Sequence, residues 1–375
     1  MDIDNVREDF PALETWTYLD SAFVGLIPKT VKKGYEEFVD RWLYFDAKDG
    51  ETILDEWLER TSALRNDVSK FIGVKSNEVA FTTCTGSGLN IAINGMTWVQ
   101  GDNVVFPEWE HNPLYTYKLA ESGVEARAVP VQDGIVNLGA MEEAIDDNTK
   151  IVQVSHIGYI NGFRFDLGEV AEIAHEHGAR VLVDATQAVG AIEVDYRGDD
   201  VDFVSFAPYK YMMGPAGLAA LYVREELIPE LKPDRVGWKN QIWQGEHAEE
   251  PRDLSTAEKF EYGTIHFQGV YALKRSLSYL KEIGSDSIES RISMLNEHLW
   301  SSIKEGGGKL YSPEGNKSPI VSFYQDNPEE LARELMNKRI KVTGRKSHGG
   351  HIRASIHFYN TKEDIDRFVD KLKLN

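Results

Sequence analysis

The sequence predicts an α/β protein: a large domain on a mainly parallel sheet flanked by helices, followed by a smaller α+β domain. Three observations predict it. From Val79 to Val223, short apolar runs alternate with helical patterns, the rhythm of parallel strands joined by crossover helices. Runs such as Val181-Leu182-Val183 are apolar at every position, as in strands buried on both faces. After Tyr262 the alternation stops. In addition, 375 residues exceed what a single hydrophobic core usually supports.

The elements follow in order. Residues 1–15 read as a polar arm, and Tyr18-Leu19-Asp20 as a short strand. Pro28 opens a helix to about Phe45, with Trp42, Tyr44 and Phe45 expected on its core face. A second helix is expected from Thr52 to Ile72, stopped by Gly73. Strands are expected over 79–83, 103–106, 124–129, 150–155, 181–184, 201–206 and 218–223, with helices over 89–98, 113–122, 139–145 and 167–177 between them. Two long helices, 267–281 and 287–304, begin the tail. A strand over 320–324, a helix over 328–336 and a strand over 352–357 come next. Thr361 then caps a last helix to Leu372, with Asp364 three residues on, close to a capping box. The boundary falls near Gly263: residues 16–262 form the large domain, and 1–15 with 263–375 the arm and small C-terminal domain.

Composition narrows the function. A net charge of −20 disfavours nucleic acid and anionic membrane surfaces as partners. The single cysteine, Cys84, allows no internal disulfide and no cysteine-based zinc site. MDIDNVREDF has no apolar core of a signal peptide, and no run reaches membrane-spanning length. A cytoplasmic, soluble protein is the expectation.

The chemistry concentrates between Arg180 and Arg224. The strand at 181–183 delivers Asp184 at its carboxyl end, and the strand ending at Phe206 is followed by Tyr209-Lys210. Ligands of open α/β sheets sit at such strand ends. A buried carboxylate keeps its charge when a cation faces it, and a desolvated lysine becomes a nucleophilic amine. Pyridoxal 5′-phosphate (PLP) wants both, a lysine on its aldehyde and an aspartate on its ring nitrogen. A structural ion pair is the plainer account of the same two residues.

Other candidates each have a plainer reading too. Thr85-Gly86-Ser87-Gly88 joins a strand to a helix and could seat a phosphate, or be an ordinary capped turn. It is not half of a dinucleotide fingerprint, because Ile91 stands where glycine is needed. His111 could stack on a planar cofactor or lie on a surface loop. His156 is a site residue or a satisfied buried histidine. His175 and His177 close a helix, and His348 with His351 lack carboxylate or thiolate partners for a metal. Arg353, flanked by apolar positions in HIRASIHF, suits a bidentate carboxylate clamp or an interdomain salt bridge.

Together these motifs resemble the class V aminotransferase group of fold-type I PLP-dependent enzymes, which includes cysteine desulfurases, selenocysteine lyases, isopenicillin N epimerase-like proteins and kynureninases. The most specific stretches are VLVDATQAVGAIEVD, DFVSFAPYKYMMGPAGLAALYV, FEYGTIHFQGVYAL and HIRASIHFYNTKEDID. The resemblance implies that Lys210 forms the internal aldimine, Asp184 pairs with the pyridinium nitrogen and Gln187 bonds the ring hydroxyl. It further implies that His111 stacks on the ring, Gly86 and Ser87 hold the phosphate, and Thr264 reaches the phosphate of a neighbouring subunit. Arg353 would clamp the substrate carboxylate, and the assembly would be a homodimer with sites at its interface.

Four positions depart from the family pattern. Ala207 replaces a phosphate-binding serine, which leaves Tyr209 or Ser205 to hold the phosphate there. Tyr209 precedes the lysine where histidine is common. The loop TGRKSHGGH lacks the persulfide-forming cysteine of desulfurases, which argues against sulfur relay to acceptors. Tyr159 stands where many relatives carry asparagine. The expected activity is transamination or C–S/C–Se lysis of a small amino acid. The alternatives are an epimerase-like or kynureninase-like reaction, and a non-catalytic PLP-fold binding protein. A dicarboxylate co-substrate would need a second cation, for which Arg164, Lys239, Arg345 and Lys346 are the candidates, each also readable as solvated surface charge.

Overall fold

In the computed structural model, which describes residues 1–44, 52–111, 113–242 and 252–372, Val181, Leu182 and Val183 alternate between two faces of a sheet. Val181 and Val183 join one apolar cluster, and Leu182 joins the other. The period-two geometry of a strand requires this when helices cover both faces. The strands are β1 (Val79–Thr82), β2 (Asn103–Pro107), β3 (Glu125–Val129), β4 (Thr149–Ser155), β5 (Arg180–Asp184), β6 (Phe203–Phe206) and β7 (Ala219–Val223). Their spatial order is β1-β7-β6-β5-β4-β2-β3. All but β7 run the same way; β7 opposes both its neighbours. The carboxyl ends of the parallel strands therefore share one edge. Ser155, Asp184 and Ser205 lie in register there on β4, β5 and β6.

Helices α1 (Lys29–Tyr44), α2 (Ile53–Phe71), α3 (Thr85–Gly95) and α4 (Leu167–Glu176) belong to this body. Thr52 caps α2 in a reciprocal box with Asp55, which satisfies two otherwise orphaned amides. The buried residues of α1 are Val31, Gly34 and Phe38. The helical pattern predicts Trp42 and Tyr44 on that core face, but they are 60% and 73% exposed. Trp42 meets Phe38 and Trp57 edge-on at the end of the packed stripe. Phe45 lies outside the described residues. A short helix, Ile3–Glu8, forms within the N-terminal arm, capped by Asp2.

The tail begins with α5 (Phe267–Ile283) and α6 (Ser285–Glu305). Strands β8 (Ile320–Tyr324), β9 (Thr343–Arg345) and β10 (His351–Ser355) form an antiparallel sheet in the order β8-β10-β9. Val270, Leu273 and Leu277 of α5 share the large core. Leu295, Leu299 and Ile303 of α6 pack instead with Phe323 and Ile352 on the small sheet. The change of core falls within α6, because its first turns still place Ile288 and Ile292 in the large core. Residues 17–25 link the two bodies. Thr17–Tyr18 pairs with Ile340–Lys341, and Asp20 bridges Ser355.

Candidate active site

Asp184 ends β5, the central strand, and is 7% exposed. Its Oδ1 accepts from the Thr186 N–H at 3.0 Å, and no cation pairs with it among the described residues. Lys210 follows β6 in a tight turn. The Met213 N–H donates to its carbonyl at 3.0 Å and the Gly214 N–H to the Pro208 carbonyl at 2.8 Å. Met213 adopts φ +55°, a left-handed conformation unusual for a side-chain-bearing residue. Gly25 braces the turn from outside by donating to the Tyr209 carbonyl at 2.9 Å. A Cβ at Gly25 would overlap the Lys210 carbonyl oxygen, so only glycine allows this approach.

These two residues face one cavity of about 270 Å³, also lined by Gly86, His111, Gln187, Tyr209, Ala207, Cys84, Thr85, Ser155, Tyr159 and Thr186. Burial lowers the Lys210 amine to about 8, against the partial opposition of Asp184 and with help from Arg353 and Arg345. An amine lowered this far supplies much more free base near neutral pH than an ordinary lysine does, which is what a carbonyl-attacking nucleophile needs. Burial also lowers His111, whose ring meets Tyr159 edge-on at 4.8 Å.

Groups that sequence patterns do not single out hold or line this cavity. Glu110 is buried, and both its oxygens hold Ser155: Oε2 accepts from the backbone N–H at 2.7 Å and Oε1 from the hydroxyl at 2.5 Å. Burial, then Asp184, raises Glu110 to about 7. Thr186 shares a 2.6 Å hydrogen bond with Thr85, which ties the end of β5 to the start of α3. Polar residues just past apolar strands are the available signal for both.

Several other candidates lie outside this cavity or brace its walls. The Ser87 hydroxyl bonds Thr83 at 2.8 Å, and Ser87 lines a second cavity together with Thr264; neither lines the cavity of Lys210. Ser205, a candidate phosphate ligand in place of Ala207, is fully buried and donates to the Thr85 carbonyl at 2.9 Å. Gly88 packs so closely on it that a Cβ there would overlap its hydroxyl. Ser205 therefore fixes α3 against β6, and Tyr209 is the residue that faces the cavity. His156 is buried with Nδ1 3.3 Å from the Tyr196 hydroxyl, and burial lowers it to about 3. His175 pairs with Asp202 at 2.8 Å. His351 packs its ring on Tyr311.

Arg353 does not line the cavity of Lys210 but holds Tyr159, which does. Arg353 is 1% exposed, and its Nη1 donates to the Tyr159 carbonyl at 2.7 Å. Its nearest carboxylate, Asp20, lies at 3.7 Å, and its Nε and Nη2 are buried without hydrogen-bond partners. Of the candidate second cations, Arg164 pairs with Glu289 at 2.6 Å, Lys239 pairs with buried Glu261, and Lys346 pairs with Glu329 at 3.2 Å. Arg345 has no carboxylate partner among the described residues. Its guanidinium lies 5.4 Å from the Tyr159 ring centre.

The site residues fit PLP. The Gln187 amide donates to the Ala22 carbonyl at 3.1 Å, and its Oε1 is buried with no partner, free to accept from a ring hydroxyl. Gly86, in the first turn of α3, offers an amide-rich helix end to a phosphate. Asp184 offers an unpaired carboxylate to a protonated ring nitrogen.

The family model for Aminotransferase class-V matches residues 17–368. The probable cysteine desulfurase of Methanothermobacter thermautotrophicus is 31% identical, over 100% of this chain and 98% of that protein. The uncharacterized aminotransferase YcbU of Bacillus subtilis is 29% identical, over 98% and 97%. Among solved structures, the apo cysteine desulfurase of Thermococcus onnurineus NA1 superposes with a TM-score of 0.90 at 27% identity, over 98% of this chain and 96% of that one.

Proposed function

The chain belongs to the class V aminotransferase family, and on that premise we propose that it is a PLP-dependent lyase acting on the C–S or C–Se bond of a small amino acid. The observation that carries this is the convergence of Lys210, Asp184 and Gln187 on one cavity at the carboxyl edge of the sheet. PLP supplies an aldehyde for the substrate amine and an electron sink for a broken Cα bond. Lys210 Nζ would hold it covalently and, once released by substrate, move the proton at Cα. Asp184 would keep a proton on the ring nitrogen. His111 would orient the ring, and Gly86 with Tyr209 would seat the phosphate. Arg353 would clamp the α-carboxylate.

The lyase reading draws on the cysteine desulfurases among the relatives. The loop at 346–350, between β9 and β10, carries no cysteine, so sulfide would leave directly rather than through a persulfide on that loop. Transamination is the second reading, favoured by the unpaired Arg345. The full Lys210, Asp184 and Arg353 set weighs against a non-catalytic binding protein. A homodimer fits the placement of exposed Thr264 in a separate cavity, away from Lys210 of its own chain. The cytoplasm is the compartment we favour, from the single cysteine; among the described residues no helix is long and apolar enough to cross a membrane.

Sulfide or selenide release from cysteine or selenocysteine, with the yellow form of the enzyme regenerated, tests the lyase. Accumulation of the amine form of the cofactor without sulfide would establish transamination instead. The Lys210 environment adds a pH test. Below about 8 the amine is protonated and cannot attack an aldehyde; above it the free base is present. The rate at which apoenzyme captures PLP, followed by absorbance, should rise with pH to a plateau with its midpoint near 8. A midpoint near the usual lysine value would contradict the assigned environment. Arg353→Ala should weaken amino-acid binding by about ten- to a hundredfold, the effect of one or two charge-assisted hydrogen bonds, and leave cofactor content intact. Loss of bound PLP in that variant would place Arg353 in a different role.

A further inference from the structure

No apolar pattern in the sequence marks strand β9: Thr343, Gly344 and Arg345 offer no apolar side chain. Its pairing with β10 sets Thr343 opposite Arg353 and Arg345 opposite His351. Residues opposite each other, and residues two apart on one strand, leave the same face of a sheet. Arg345 and Arg353 are thus diagonal neighbours on one face. Both converge on Tyr159: Arg353 holds its carbonyl, and Arg345 lies over its ring. Tyr159 itself lines the cavity of Lys210 and Asp184.

Two guanidinium groups side by side repel each other and need an anion between or beside them. Asp20 approaches Arg353 at 3.7 Å, and its Oδ1 already accepts from the Thr343 hydroxyl at 2.6 Å. No carboxylate of the described chain reaches Arg345. The Arg345 Nε is buried and makes no hydrogen bond. On its other side Arg345 lines an open cavity of about 660 Å³ shared with Arg333, Lys341 and Lys346, where Lys341 pairs with Asp20 and Lys346 with Glu329 while Arg345 has no carboxylate partner among the described residues. A chain of net charge −20 thus keeps an uncompensated guanidinium, Arg345, against Tyr159 of its candidate active site.

We propose that Arg345 is a specificity-determining residue: it binds a second anionic group, at the end of the substrate side chain, while Arg353 takes the α-carboxylate. The preferred substrate is therefore an amino acid with an acidic side-chain terminus. This rests on the PLP-enzyme reading above and names the substrate class for it.

The test uses full-length enzyme reconstituted with PLP and titrated spectrally with matched pairs of ligands. S-carboxymethyl-L-cysteine is compared with S-carbamoylmethyl-L-cysteine, and L-glutamate with L-glutamine. The members of each pair have nearly the same shape and differ in charge. The acid should bind at least about tenfold more tightly than the amide, the scale of one charge-assisted hydrogen bond. Arg345→Gln should bring that ratio to within about twofold, and Arg345→Lys should keep part of it. Equal affinity for acid and amide in the unmodified enzyme would overturn the proposal without any variant. A preference that persists in Arg345→Gln would also overturn it, by assigning the second anion site elsewhere. A protein that takes up no PLP would overturn the PLP-enzyme reading and this proposal with it. A yellow holoenzyme without the preference would overturn this proposal alone.

Discussion

Lys210→Ala should yield a folded protein that holds no PLP after borohydride treatment and denaturation, with turnover lower by at least about a thousandfold. Two losses combine in that variant. The amine that would bind the aldehyde is gone, and so is the general base at Cα, whose contribution alone is typically about 10²–10⁴-fold. The fold should survive, because the turn is held by main-chain bonds at Gly25, Met213 and Gly214 rather than by the lysine side chain. The Asp184 carboxylate also keeps its Thr186 N–H donor when the ammonium is removed. Mass spectrometry of the reduced, digested protein gives the decisive reading. A PLP adduct on any peptide other than the one with Lys210 in the unmodified enzyme would refute the assignment.

Asp184→Asn should leave PLP bound and lower turnover by about 10²–10³-fold, the usual cost of removing one preorganised electrostatic contact to a reacting system. The substitution nearly preserves shape, and the amide oxygen can still accept from Thr186. What it removes is the negative charge that would keep the ring nitrogen protonated. The same charge opposes the lowering of the Lys210 amine, so the PLP-capture midpoint should move to lower pH in Asp184→Asn. An unchanged midpoint would mean that the two groups do not sense each other. A loss of turnover without that shift would point to a packing defect at the end of β5.

Much of the site was legible because its residues end apolar strands. The runs at 181–183 and 203–206 place Asp184 and Lys210 on the shared edge by pattern alone. The capping pair Thr361 and Asp364 was readable for the same reason, being local chemistry at fixed spacing. Residues whose role depends on tertiary direction were not legible. Ser87 and Gly86 are adjacent in sequence yet face different cavities. Ser205 stands one strand position from the cavity and turns to the Thr85 carbonyl instead. Trp42 continues a helical apolar stripe beyond the point where a neighbour covers it. Strand β9 has too little apolar character to betray itself, and only its pairing with β10 shows that Arg345 shares a face with Arg353.

The segment at 17–25 has a consequence for how the enzyme is born. It contributes the Ala22 carbonyl to Gln187 and the Gly25 amide to the Lys210 turn. Its own anchors are Ile340, Lys341, Thr343 and Ser355; Thr343 lies 323 residues from Asp20 along the chain. Such distant pairings are slow to form. On the ribosome, the first residues made must therefore wait for nearly the last before the Lys210 turn is braced. A truncated chain ending before Ile340 would carry Lys210, Asp184 and Gln187 and still lack the partners that anchor the segment beside the Lys210 turn.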